Sequence, residues 1–170
     1  AKESDAFNRW EAGQRLATDI LLEMVSDIVA KRAVEVPGDF LTAFRSALQD
    51  READPALLSL ALTLPGEMEL AEAMGVADPG AIHIARQVLR KTLAAALHED
   101  FTAVLDTMQD DGLYSLTSEA IGRRSLKNLC LGYLALLDIP SIQQNCFDRF
   151  ADADNMTDRM AALTCLVHNR

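Results

Sequence analysis

Residues 80–109 read GAIHIARQVLRKTLAAALHEDFTAVLDTMQ, and their apolar members recur every three or four positions. Ile82, Ala85, Leu89, Leu93, Leu97, Phe101, Val104, Leu105 and Met108 fall on one stripe of a helix. The spacing predicts the longest helix of the chain, with a kink near His98 to Asp100, where three polar residues follow one another. Asp78-Pro79 stands directly before it and is a start signal. The aspartate accepts from orphan N–H groups as N-cap, and proline takes the first helical position, where no N–H is needed.

Working outward, Asp54-Pro55 repeats the same device. Toward the N-terminus, Phe7, Trp10, Ala17, Ile20, Leu21, Met24 and Ile28 predict an amphipathic helix from about Asp5 to Lys31. Val34 to Gly38 holds β-branched residues, a proline and a glycine, so a new helix is expected near Asp39. Toward the C-terminus, Leu126 to Ile139 is apolar on nearly every face and predicts a helix surrounded by neighbours. Helices follow over Ile142 to Phe150 and Met156 to Val167. Thr117 or Ser118 is the expected cap before one of these. Asn155, with Asp158 three residues on, is the expected cap before another. The fold class is therefore all-α, with about eight helices joined by short connections, which favours antiparallel neighbours in a bundle or a curved stack of helix pairs. The chain shows no repeat of fixed period and no low-complexity linker, and residues 1–170 read as a single helical domain.

Composition agrees. Of 170 residues 49% are hydrophobic, enough for a packed core, while only 8 are glycine and 5 proline. A net charge of -10 repels polyphosphate and argues against nucleic acid as partner. No apolar run reaches the roughly 18 residues of a membrane span, and residues 1 to 30 lack the pattern of a secretory leader. Cys130, Cys146 and Cys165 sit far apart among Leu, Phe and Ala, which predicts buried free thiols in a reducing compartment, hence a cytoplasmic protein.

A search for chemistry returns no catalytic, cofactor-binding or metal-binding residue. A zinc-peptidase helix needs two histidines four apart with a glutamate between them as base, and the chain has no such pair. His83 and His98 would stand about 22 Å apart on one straight helix. Consecutive side chains such as His98-Glu99-Asp100 point about 100° apart and cannot converge on one ion. A cysteine nucleophile would need an exposed thiol in an electropositive setting. Two basic clusters stand out in the acidic chain, Arg86-Arg90-Lys91 and Arg123-Arg124-Lys127. Both are expected to be charged helix surface rather than a dedicated anion site.

Several stretches carry a resemblance. Asp5-Ala6-Phe7-Asn8-Arg9-Trp10-Glu11, Asp54-Pro55-Ala56-Leu57 with Leu62-Thr63-Leu64-Pro65, and Asp78-Pro79-Gly80-Ala81-Ile82 resemble, in order and spacing, the bacterial aminopeptidase N family. So do Arg124-Ser125-Leu126-Lys127-Asn128-Leu129-Cys130-Leu131 and Asn155-Met156-Thr157-Asp158 with Ala161-Ala162-Leu163. The resemblance implies a piece of the C-terminal helical domain, a curved α-superhelix. It implies a parent that also has a catalytic domain holding zinc and β-rich domains, and that removes N-terminal residues from peptides. The domain would enclose the active-site chamber and limit access. The family's zinc motif is absent here, so no metal or base residue carries over. Gly66-Glu67-Met68-Glu69-Leu70 superficially resembles the family's amine-holding Gly-x-Met-Glu-Asn stretch but departs from it at Leu70 and follows Pro65 at a helix start, and is read as coincidence. The partners implied are the other domains of the parent and its peptide substrates. A piece of a larger domain is also expected to expose an apolar face and to dimerise through it. The competing reading is a free-standing helical scaffold that binds partner proteins along a concave face.

Overall fold

Both Asp-Pro pairs begin helices. In the computed structural model, which describes residues 6–109 and 114–168 except for the side chains of residues 6, 7, 9 and 168, the Asp54 carboxylate accepts from the Ala56 N–H at 2.7 Å. Asp78 accepts from the Ala81 N–H at 3.0 Å. Nine helices lie among the described residues, against about eight expected: α1 Ala6–Val29, α2 Gly38–Leu48, α3 Pro55–Ala61, α4 Glu67–Glu72, α5 Pro79–Ala96, α6 His98–Thr107, α7 Ser118–Leu134, α8 Pro140–Asp152 and α9 Met156–His168. None of them is long and apolar enough to cross a membrane.

The extra helix comes from the expected long one. Leu97 leaves helical geometry, at φ -119° and ψ 23°, and the chain restarts as α6. Its N–H still donates to the Leu93 carbonyl, and its own carbonyl still accepts from Phe101, each at 2.9 Å. The ladder therefore survives on the buried side, and Leu93, Leu97 and Phe101 all stay fully buried across the break. Glu99 and Asp100 fall in the first turn of α6, where free N–H groups favour acidic side chains. The longest helix is instead α1, with 24 residues. Its core face is Ala17, Ile20, Leu21, Met24 and Val25; Asp5 and the Phe7 side chain lie outside the described residues.

The all-apolar run ends its helix earlier than expected, while the start falls at the expected cap. Its helix, α7, starts at Ser118, where the Thr117 hydroxyl accepts from the Ala120 N–H at 3.3 Å, and it ends at Leu134. Residues 135–139 turn, because Pro140 pushes the residue before it away from helical geometry; Ile139 sits at φ -116°, ψ 117° and α8 begins.

Helix α7 is the hub. It packs against α3, α5, α6 and α9. Phe44 of α2, Phe101 of α6 and Tyr133 of α7 share one aromatic cluster in which Phe101 and Tyr133 stack at 4.7 Å. The Tyr133 hydroxyl donates to the Leu62 carbonyl just after α3 at 3.0 Å, so the polar tip of a buried ring is satisfied. Helices α3 and α7 approach closely at Gly122, where a Cβ would stand 2.9 Å from the backbone nitrogen of Ala56 in α3.

Candidate functional site

The two basic clusters divide. On α7, Arg124 and Lys127 are only 4% and 6% exposed, which overturns the expectation of a charged helix surface for these two, while Arg123 is exposed as expected. Neighbours cover the part of α7 that carries Arg124 and Lys127, so these two cations must find partners inside. Arg124 donates to the Ser115 carbonyl at 2.8 Å and lies 4.7 Å over the Tyr114 ring. Lys127 donates to Asp158 Oδ2 at 2.8 Å, and Asn128 donates to Asp158 Oδ1 at the same distance. Asn155 caps α9 by accepting from the Asp158 N–H at 2.9 Å and also donates to the Asp158 carboxylate at 3.0 Å. Burial by itself would raise the Asp158 carboxyl, but the hydrogen bonds from Lys127, Asn155 and Asn128 and the Lys127 charge hold it below its ordinary value. This group fastens α7 to α9. The sequence signal for it is Lys127-Asn128 standing alone inside an apolar run, because polar groups carried into a buried segment need satisfaction.

On α5 the outcome differs. Arg86 donates to the Pro65 carbonyl at 2.7 Å and lies 3.9 Å from Glu67. Burial, and then the neighbouring Arg90 charge, lower its pKa. Arg90 is half-buried and Lys91 exposed, and neither forms a hydrogen bond or ion pair among the described residues. Arg90 lines two adjoining cavities. One, of about 620 Å³, lies between α5, the turn after α7 and α9, and is also lined by His83, Gln87, Lys91 and Asp138. The other, of about 320 Å³, includes Arg86, Asn128 and Tyr133. Gly132 belongs to both.

The remaining candidates have structural engagements. His83 Nδ1 contacts Glu67 at 2.9 Å. Asp100 accepts from Arg45 at 3.2 Å and from Gln49 at 2.6 Å, tying α6 to α2. In the stretch Gly66 to Leu70, Glu69 accepts from the Gly66 N–H at the start of α4, and Leu70 is fully buried. Zinc, which the resemblance implies for a parent protein, finds no fitting donor set here: among the described residues no three His, Cys, Asp or Glu side chains gather as metal ligands.

All three cysteines are free and buried. Burial pushes the Cys130 thiol up to about 12. Far apart in sequence, Cys146 of α8 and Cys165 of α9 are neighbours in space, and that contact, with burial, raises the Cys165 thiol. The hydrogen bond with Cys165 and the Arg149 charge hold the Cys146 thiol below its ordinary value against the effect of burial, but it is buried, whereas a nucleophile needs access. A third cavity, an apolar groove of about 620 Å³ between α1, α2 and α3, is lined by Trp10, Leu16, Phe40 and Leu57 among others.

Known proteins share this arrangement. The whole chain, residues 1–170, matches the family model described as a domain of unknown function, DUF3458_C, of ARM repeats. Aminopeptidase N of Caulobacter vibrioides is 36% identical over 165 residues, which make up 97% of this chain and 19% of that protein. Aminopeptidase N of Escherichia coli is 34% identical over 95% of this chain and 18% of its own length. Among solved structures, Legionella pneumophila aminopeptidase A in complex with aspartic acid superimposes with a TM-score of 0.81 at 26% identity, over 97% of this chain and 20% of that one. The chain thus spans about a fifth of the length of the curated relatives it matches.

Proposed function

The chain belongs to the DUF3458_C family of ARM-repeat domains, and from that membership we propose that it serves as a non-catalytic part of the C-terminal helical domain of a longer, cytoplasmic zinc aminopeptidase. The observation that carries the reading is coverage: 95–97% of this chain aligns with aminopeptidases N, yet it accounts for only 18–19% of them. The residues that perform the hydrolysis then belong to the remainder of that protein, and these helices contribute shape. They form part of a curved superhelix that encloses the catalytic chamber and limits which peptides enter.

Physical features support a packing role. The buried surface is organised around α7, and the ionic group at Asp158 and the buried Tyr133 hydroxyl are spent on holding helices together. Zinc, held elsewhere in such a protein, would supply an activated water; no residue described here is assigned a step in that chemistry. The apolar groove around Trp10, Leu16 and Leu57 is the surface through which the chain on its own is expected to self-associate.

The test is hydrolysis of an alanyl-arylamide by this chain and by the full product of its gene, with zinc measured on both. Activity and zinc in the longer protein alone are expected. A longer product that binds no zinc and cleaves nothing would sink the reading, and a chain that stays monomeric at high concentration in the ultracentrifuge would remove the groove from it.

A further inference from the structure

Arg90 differs from every other well-covered cation on α5 and α7. Arg86, Arg124 and Lys127 each have an oxygen partner at 2.7 to 2.8 Å, whereas half-buried Arg90 has no hydrogen-bond or ion-pair partner among the described residues. A guanidinium removed from bulk water loses hydration and gains when an oxyanion takes its place, because its planar fork of donors matches two oxygens at once.

The surroundings point the same way. Across the two cavities that Arg90 joins, the lining carries Arg86, Arg90 and Lys91 against one carboxylate, Asp138, in a chain whose overall charge is -10. That carboxylate is already engaged, accepting from Gln143 Nε2 at 3.0 Å. Gly132, on the wall common to both cavities, meets nothing within 4 Å where a Cβ would stand. A glycine inside a helix is unfavourable relative to alanine, and here packing does not require one. The missing side chain leaves open space on the wall that Gly132 and Arg90 share.

We propose that the two cavities meeting at Arg90 form an oxyanion-binding site, which takes a carboxylate or phosphate group on the Arg90 guanidinium with Lys91 at the mouth. A reading without a ligand also exists. The turn just after the carbonyl end of α7, residues 135–137, lines the larger cavity, and cations near a helix C-terminus are favourable by themselves. The two readings differ in whether added anion matters.

The experiment is a titration of the 170-residue chain with succinate and, separately, inorganic phosphate, followed by amide chemical shifts and by thermal unfolding. Saturable shifts centred on Arg90 and Gly132, a rise in melting temperature, and weakening with added sodium chloride are expected. Arg90→Gln should weaken binding by about tenfold or more, and Gly132→Leu should block it with every charge retained. Response to succinate alone assigns the site to carboxylates, and response to both assigns it to oxyanions generally. Repeating the titration on the full gene product separates two sources of the carboxylate: loss of succinate binding there means that an acidic side chain of the same protein fills the site. No saturable response to either anion overturns the proposal, as does a response that persists unchanged in folded Arg90→Gln.

Discussion

Arg124 and Lys127 on α7 and Arg90 and Lys91 on α5 look alike in sequence, as basic residues on helices of an acidic chain, but the fold uses them in opposite ways. The α7 pair is covered on all sides and fully engaged, with Lys127, Asn128 and Asn155 converging on Asp158. The α5 pair borders open cavities and has no oxygen partner among the described residues. The lesson is that the role of a cation follows from what covers its helix. Removing Asp158 takes an ion-pair partner from buried Lys127, whereas removing Arg90 breaks no hydrogen bond or ion pair among the described residues.

The comparison sharpens most at Asp158. Its replacement by alanine takes the carboxylate from Lys127, Asn128 and Asn155 together, and a loss of about 3 kcal/mol in unfolding free energy is expected by denaturant titration. Adding Lys127→Met should recover part of that loss, since it removes a buried charge whose carboxylate partner is gone. The pH dependence carries a definite sign. The Asp158 carboxyl is held below its ordinary value of 3.8 in the folded chain, so its contribution is fully present above that value and is lost as pH falls through the lower folded one. Melting temperature measured from pH 6 to pH 2 should therefore fall less steeply in Asp158→Asn, starting from a lower plateau.

Two glycines of α7 make the same contrast in steric form. At Gly122 an added Cβ meets the Ala56 backbone at 2.9 Å, so Gly122→Ala should destabilise by about 1–3 kcal/mol. At Gly132 nothing stands within 4 Å, and Gly132→Ala should stabilise by about 0.5–1 kcal/mol. If the two substitutions shift the melting temperature in the same direction, the two ends of α7 are not packed as differently as described. The smallest effect belongs to Arg90→Gln, expected to change stability by no more than about 0.5 kcal/mol. A loss as large as that at Asp158 would make Arg90 a structural residue and erase the contrast.

Much of the fold was legible in advance because its signals are local. An aspartate before a proline caps a helix through its own backbone, and Asp54 and Asp78 do so wherever the helix later packs. The stripe from Ile82 to Leu105 is buried almost as spaced. The break at Leu97 was misplaced by a residue or so, since the apolar period runs through it unbroken. The start of α7 is legible in Thr117, whose hydroxyl caps it, but its end is not, because the apolar run continues past Leu134 while the chain turns ahead of Pro140. The pairing that ARM repeats imply left no fixed period, as helices from 6 to 24 residues long were fitted to their own neighbours.

An all-α chain, the starts of most helices, the apolar faces that turn inward and a likeness to aminopeptidase N are all written in the order of the residues. That Lys127 and Arg124 are interior, that Cys146 and Cys165 are neighbours, and that Arg90 stands between two cavities follows from how the helices pack. Capping and periodicity act within a few residues along one helix and are written in consecutive positions. Cover, pairing and open space depend on which helices meet, over separations such as the 31 residues between Lys127 and Asp158, and no spacing along the chain encodes them.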